Sequence, residues 1–495
     1  MDGLMETDGL NEKITSSVKW ASITEIGAKL ITPFTSMLLA RLLTPDEFGV
    51  VATVTMVTSF ADIFTDAGFQ KYLIQKQFKN DKEFYENANV AFWTNLSISL
   101  LLWIIIVIFR NPIAEQVGNP GLGHVIAVSS VSLFLTAFSS IQMAIYKKKF
   151  DFKTLFLARI VGAFMPVVIT VPMAFMGFGY WSIIWGTIAT NLANAIILTI
   201  KSTWKPYLFY SFEILKRMFS FSMWTLMESI LLWMTSYIGT FIIGKYLTSY
   251  YLGLYKNSIS MVTSIMNIVA ASTTSVLLSA LSAIKDDKKQ FDSVFYSFQQ
   301  SVGLLLIPLG VGIFLFRDLA TNILFGSQWS EASLFVGLYS LAQAFTILTG
   351  QYISLTFTAN ERPKLSVLSQ ILQLIELVAL LLATVNKGFI YIVFARSIAR
   401  VMFGVINLII GKIYIGISPV KIVKNLMPPI LGSLIMVPIS IIGLLFGDTF
   451  IWQVILIVLC CISYGITILI IPQSRKIVLP LMNKMLNRCK RFAKK

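Results

Sequence analysis

The chain has 495 residues, of which 56% are hydrophobic and 13% charged, with a mean hydropathy of +0.76. That balance leaves too little polar surface to coat a water-soluble globule of this size and excludes a single aqueous domain. The formal charge of +16 raises nucleic acid as a partner, a question settled by where the cations sit.

Met1 to Ser17 is polar, with Asp2, Glu6, Asp8 and Glu12, and lacks the short apolar core and cleavage site of a removable signal peptide. The first span is therefore expected to direct insertion. About fourteen apolar stretches follow, each long enough as a helix to cross a hydrocarbon layer of ~30 Å. They are predicted near residues 20–42, 49–70, 88–109, 124–145, 155–176, 179–200, 218–242, 250–282, 294–316, 331–357, 366–384, 388–410, 426–446 and 450–472. The expected fold is an all-α polytopic membrane protein. Its parts are a cytoplasmic N-terminus (1–19), an N-terminal helical bundle (20–200, spans 1–6), a connecting loop (201–217), a C-terminal bundle (218–410, spans 7–12), spans 13–14 (426–472) and a basic tail (473–495).

Thr44-Pro45-Asp46-Glu47 has the form of a capping box with Pro at the first helical position, so Asp46 and Glu47 read as capping groups at the start of the second span. The tail from Ser474 repeats Val478, Leu481, Met482, Met485, Cys489 and Phe492 between basic residues, the pattern of a helix lying on a membrane surface. Cys460, Cys461 and Cys489 with the single His124 indicate neither a disulfide framework nor a zinc site.

Of the forty Lys and Arg residues, thirty fall in the N-terminus, the tail and the alternate loops between them, and only Arg41, Arg110, Lys245, Arg317 and Lys387 fall in the opposite loops. The positive-inside rule then places both termini in the cytoplasm. The basic charge is accounted for by orientation and by contact with anionic membrane lipids, and no nucleic acid partner is expected.

Sliding the sequence on itself by 204 residues matches Trp20 with Trp224, Arg41 with Lys245, Leu43 with Leu247, Thr44 with Thr248 and Gly49 with Gly253. Both matching helices start on the same side, so the repeat is parallel. Transporters built from two such bundles bind substrate in the cleft between them and rock to alternate access.

The segment LLARLLTPDEFGVVATVTMVTSFADIFTDAGFQKYLIQ, Leu38 to Gln75, resembles the opening of Wzx-type polysaccharide flippases, within the multidrug, oligosaccharidyl-lipid and polysaccharide exporter superfamily. It is most similar to the branch that exports colanic and teichuronic acids. GFGYWSIIWGTIATN (Gly177 to Asn191), LGLYKNSISMV (Leu252 to Val262), LLSALSAIKDD (Leu277 to Asp287) and TANERPKLSV (Thr358 to Val367) extend the likeness over most of the chain. The resemblance implies two pseudo-symmetric helical bundles around a central cavity. It also implies movement of an undecaprenyl diphosphate-linked oligosaccharide from the inner to the outer leaflet, without nucleotide hydrolysis. A polymerase outside, and a chain-length regulator, are the implied partners.

Five cations, Lys29, Arg159, Lys256, Arg396 and Arg400, fall inside predicted spans, where each costs ~2.5 to 3.5 kcal/mol at a lipid-exposed centre and is expected to face protein or water. Lys29, Arg396 and Arg400 are mid-span; Arg159 and Lys256 lie within two turns of a surface and can snorkel. Arg396 and Arg400 share a helix face and repel unless an anion sits between them. A diphosphate fits their planar forks. The competing use is pairing with the buried acids Glu25, Asp62, Asp66, Glu228 and Glu376, of which Glu25 is four residues before Lys29. Those carboxylates could instead bind the H⁺ or Na⁺ whose release drives the cycle, with Asp62 and Asp66 on one face as a candidate pair. No other cofactor is expected.

Two other functions compete with this reading. A cation-coupled multidrug exporter would favour an acidic or aromatic pocket over one centred on Lys29, Arg396 and Arg400. A polytopic glycosyltransferase or polysaccharide polymerase could use Asp46 and Glu47 as catalytic carboxylates, but every outer loop is short. Gly239 to Lys245 fits part of a phosphate-binding loop, yet Tyr246 stands where Ser or Thr is required.

Overall fold

A computed structural model describes residues 31–66 and 68–480 of the chain. Among them every regular element is helical, as lipid demands of a backbone that must satisfy its own N–H and C=O groups. Twelve helical segments among the described residues are long and apolar enough to cross a membrane, so the all-α polytopic expectation stands. The number does not reach the fourteen expected. The first part of the first predicted span, 20–30, lies outside the described residues, and the rest is helical over 31–42. The eighth forms a single helix of 35 residues, Ser249–Ala283, whose apolar residues are diluted by Ser, Thr, Asn and Lys256.

Two compact units divide the chain, Met1–Asn257 and Ser258–Lys495. The first holds α1 (Pro45–Asp66), the short α2 (Phe69–Gln75), α3 (Asp81–Ile108), α4 (Ser132–Lys148), α5 (Phe152–Met165), α6 (Tyr180–Lys201), α7 (Phe212–Tyr246) and the first turns of α8 (Ser249–Ala283). The second holds the remainder of α8, then α9 (Lys288–Leu315), α10 (Arg317–Phe325), α11 (Ser333–Thr346), α12 (Tyr352–Ala359), α13 (Pro363–Thr384), α14 (Phe389–Tyr414), α15 (Pro419–Phe446) and α16 (Phe450–Ile470). The tail is helical over 472–480; its remainder, with Cys489, lies outside the described residues.

Local sequence explains where these helices begin. Glu47 Oε2 accepts from the Thr44 amide at 2.7 Å and from its hydroxyl at 3.1 Å, so the capping box closes as its sequence predicts, with Pro45 at the first helical position. Asn80 caps α3 and Asp287 caps α9, each through its side chain. Both of these helices run 28 residues and are followed by Phe-Arg, whose Arg opens a short helix.

Two hairpins also repeat. Before α5, Phe150 is left-handed (φ 59°) and the Asp151 amide donates to the Tyr146 carbonyl; before α13, Glu361 is left-handed (φ 58°) and the Arg362 amide donates to the Phe357 carbonyl.

Helices in lipid gain little from hiding apolar area and associate through close packing and polar contacts between them. The crossing of α1 and α8 shows this at its limit. A Cβ on Gly49 would lie 1.9 Å from the Ser249 carbonyl oxygen, and one on Gly253 would lie 1.8 Å from that of Pro45. The pair matched by the repeat thus meets at a single backbone-to-backbone crossing. Beside it Asn119 donates to Thr53 at 2.9 Å and accepts from Ser249 at 2.5 Å.

In the second unit α9 packs against α11 and α15, and α15 against α16. Pro308 lies inside α9 and has no N–H for the Leu304 carbonyl four residues earlier. The Tyr464 hydroxyl from α16 donates to that oxygen at 2.7 Å.

Candidate functional site

The second unit brings three intramembrane charges together, Arg396, Arg400 and Glu376. On α14, Arg396 is 8% exposed and Arg400 half-buried, one turn apart. Arg400 Nε donates to Gln343 Oε1 at 2.7 Å, and the Arg400 backbone carbonyl accepts from Thr346 Oγ1 at 2.6 Å. The Arg396 guanidinium carbon lies 6.0 Å from the centre of the Tyr339 ring. Tyr339, Gln343 and Thr346 recur at helical spacing on α11 and present one polar face to the arginines. A π-helical turn, Ile347–Gln351, follows directly, a distortion that often marks functional positions.

Glu376 on α13 completes the cluster. Both of its carboxylate oxygens are buried and accept no hydrogen bond among the described residues, and Arg396 is the charge that acts on it. Two guanidinium groups therefore sit with a phenol, an amide and one carboxylate inside a helical bundle. Arg400 is anchored through a neutral acceptor, which leaves its charge uncancelled by that bond, and planar N–H donors remain for an anion.

The first unit disperses its candidates. Asp62 Oδ1 accepts from Thr65 Oγ1 at 3.0 Å and Thr136 Oγ1 at 2.8 Å, so hydroxyl groups rather than a cation satisfy it. Glu228, expected to be a buried acid, has a half-exposed side chain and pairs with Lys71 at 3.1 Å. The reason is local: Lys71 stands on α2, a helix that hydropathy reads as loop, and this brings its ammonium to the side of α7. Arg159 is exposed on α5. Lys256 is half-buried, with its ammonium 4.1 Å from the centre of the Tyr237 ring. Glu25 and Lys29 lie outside the described residues, as does the side chain of Asp66.

Sequence reasoning thus singled out Arg396, Arg400 and Glu376 but missed Tyr339, Gln343 and Thr346. Their signal was present as polar residues at one-turn spacing in an otherwise apolar span.

Apolar grooves flank α15. One of about 490 Å³ is lined by Leu305, Pro308, Ile313, Met436, Cys460 and Tyr464 from α9, α15 and α16. Another of about 530 Å³ runs between α9, α11 and α15, with Arg317 and Asp318 among its lining residues. Both suit hydrocarbon chains.

The family model described as Polysaccharide biosynthesis protein matches residues 38–334. The succinoglycan biosynthesis transport protein ExoT of Rhizobium meliloti (strain 1021) is 25% identical over 338 residues, 68% of each chain. The teichuronic acid biosynthesis protein TuaB of Bacillus subtilis (strain 168) is 21% identical over 341 residues, 68% of this chain and 70% of its own. Among solved structures, lipid II flippase MurJ in an inward closed conformation superposes with a TM-score of 0.74 at 17% identity, over 92% of this chain and 99% of that one. The last likeness speaks for the fold. The family match covers more than half of the chain, including the Leu38 to Gln75 segment that carries the resemblance; the chain belongs to the polysaccharide biosynthesis protein family.

Proposed function

We propose that the chain carries undecaprenyl diphosphate-linked oligosaccharide from the inner to the outer leaflet of the cytoplasmic membrane by alternating access, supplying surface polysaccharide synthesis. The observation that carries this reading is the pair Arg396 and Arg400 at membrane depth, Arg396 beside the Tyr339 ring and Arg400 bonded to Gln343. Such a pair repels itself in the absence of an anion and is matched by a diphosphate. The relatives' names place them in succinoglycan transport and teichuronic acid biosynthesis. The apolar grooves beside α15 suit the lipid tail.

In this reading both termini are cytoplasmic, on the strength of the lysine and arginine distribution. Glu376 is the candidate carboxylate for coupling to an ion, and a polymerase and a chain-length regulator receive the product outside. The chain acts as a transporter and performs no covalent step.

Depletion of the protein tests the reading. Complete lipid-linked repeats, identified by mass spectrometry of extracted lipids and inaccessible from the outer face, are expected to accumulate. Incomplete repeats would point to a transferase, and unchanged lipids to an exporter of other compounds.

A further inference from the structure

Between the helix over 31–42, α5 and α6, the first unit holds a cavity of about 300 Å³ whose wall carries hydroxyls and no charged side chain. Thr35, Thr187 and Thr190 stand around it, and each spends its proton on its own helix. Thr35 donates to the Ile31 carbonyl at 2.9 Å, Thr187 to that of Ile183 at 2.8 Å and Thr190 to that of Gly186 at 2.8 Å. Their oxygens keep lone pairs for another donor. Thr170 supplies the opposite polarity. It is 2% exposed, lines the same space and makes no hydrogen bond among the described residues, so its O–H is unspent. It ends a π-helical turn, Pro166–Thr170, and touches Gly186, where an added Cβ would lie 1.8 Å from the Thr170 Oγ1. The glycine makes the room that this hydroxyl occupies.

A smaller space of about 40 Å³ shares Ile183 and Thr187 in its wall and is likewise without charge. Ser129 lines it, 8% exposed, with an Oγ that has no partner. Hydroxyls that only join helices touch across the interface, whereas these border open volume. A hydrocarbon chain there would leave Thr170 unsatisfied, a costly state for a buried donor. An ion would meet no opposite charge. A group rich in uncharged hydroxyls meets both needs, since each can donate to a threonine oxygen and accept from Thr170. The larger volume lies at the lower end of ligand pockets, about 300 to 1,000 Å³, which suits one ring rather than a chain of them. Thr187 is exposed, so the cavity opens at the surface of the unit.

We propose that the larger cavity is a subsite for one uncharged sugar ring of the transported glycan, with Thr170 donating to the ring and Thr35, Thr187 and Thr190 accepting from it. The proposal rests on the transport reading above and narrows it, because the ring seated here bears no carboxylate. The adjoining space is too small for a ring and takes a water or a hydroxymethyl arm, with Ser129 as its partner. A site that bonds hydroxyls in this way selects against groups that cannot return the bonds.

The full chain in nanodiscs is titrated with three probes: undecaprenyl diphosphate alone, the same lipid bearing an oligosaccharide of neutral hexoses, and the same lipid bearing the corresponding uronates. The wild type is expected to bind the hexose probe roughly tenfold tighter than the bare lipid, as two or three added hydrogen bonds would give. The uronate probe gains less. Thr170→Val and Thr187→Val keep the shape and lose a hydroxyl, and each lowers the preference for the hexose probe about threefold. Thr170→Ser retains it. Ala163→Leu fills the cavity from its wall and removes the preference without deleting a hydroxyl, should the valine variants fail to insert. Affinity for the bare lipid, which has no ring to seat, stays the same throughout.

A wild type that binds the hexose probe no tighter than the bare lipid, or an intact preference in the valine and leucine variants, overturns the subsite alone. Equal gains from the hexose and uronate probes overturn its restriction to uncharged rings. Binding of no probe by the wild type overturns the transport reading itself.

Discussion

The Tyr464 hydroxyl replaces a backbone hydrogen bond that Pro308 deletes, donating to the Leu304 carbonyl from another helix. Water cannot take over this duty inside a bilayer. Tyr464→Phe is expected to destabilise the protein by about 1–2 kcal/mol, read as a lowered unfolding midpoint in detergent. Pro308→Ala restores the N–H within α9, so the same tyrosine change made in that background is expected to cost much less. Equal losses in both backgrounds would remove the compensation.

Arg396→Ala and Arg400→Ala are each expected to abolish export of surface polysaccharide while protein level and membrane insertion stay normal. Arg400→Lys keeps the charge but not the planar fork that meets Gln343, and a partial loss of roughly tenfold is expected. Normal surface polysaccharide in the double alanine variant would take both residues out of the mechanism.

Outside the spans, Lys285 donates to Glu361 at 2.5 Å. This hydrogen bond, reinforced by the charge of Lys285, holds the Glu361 carboxyl below its ordinary value of 4.5 and raises the Lys285 ammonium above 10.5. The tie is complete between those values. It weakens as pH falls below 4.5 through the depressed pKa of Glu361, and at the alkaline end as pH rises past 10.5 through the raised pKa of Lys285. Amide exchange in the hairpin around Asn360, corrected for its intrinsic pH dependence, is expected to be flat from pH 6 to 9 and faster in acid. Glu361→Gln should remove the acid step.

Gly49→Ala and Gly253→Ala are expected to destabilise by about 1–3 kcal/mol or to shift the α1–α8 crossing, because each new Cβ meets a carbonyl oxygen under 2 Å away. Gly465 in α16 has nothing within 4 Å of the same added atom. There the substitution should follow helix propensity alone and stabilise by up to about 1 kcal/mol. Thermal unfolding of the three variants checks the contrast in sign.

Much of this was legible in the sequence. The capping box at Thr44 is a local signal and closed as written. The repeat pointed to Gly49 and Gly253 by their alignment, although nothing in the alignment said that the two would touch. Arg396 and Arg400 stood out because charge is rare in apolar helices. What stayed hidden depends on a partner remote in the chain. Tyr464 serves Leu304 and Gln343 serves Arg400 across elements whose packing no local pattern specifies. The contact of Glu228 with Lys71 was hidden by α2, which is too short and too polar for hydropathy to register.

The glycine crossing of α1 and α8 also bears on how readily the two helices could part. No side chain interlocks at Gly49 or Gly253, so separation asks no rotamer to change, and the peptide groups exposed are those already bonded within their own helices. What must also break there is the pair of hydrogen bonds by which Asn119 joins Thr53 to Ser249. The tightness of the crossing and its ease of release have one origin, the absence of two methyl groups.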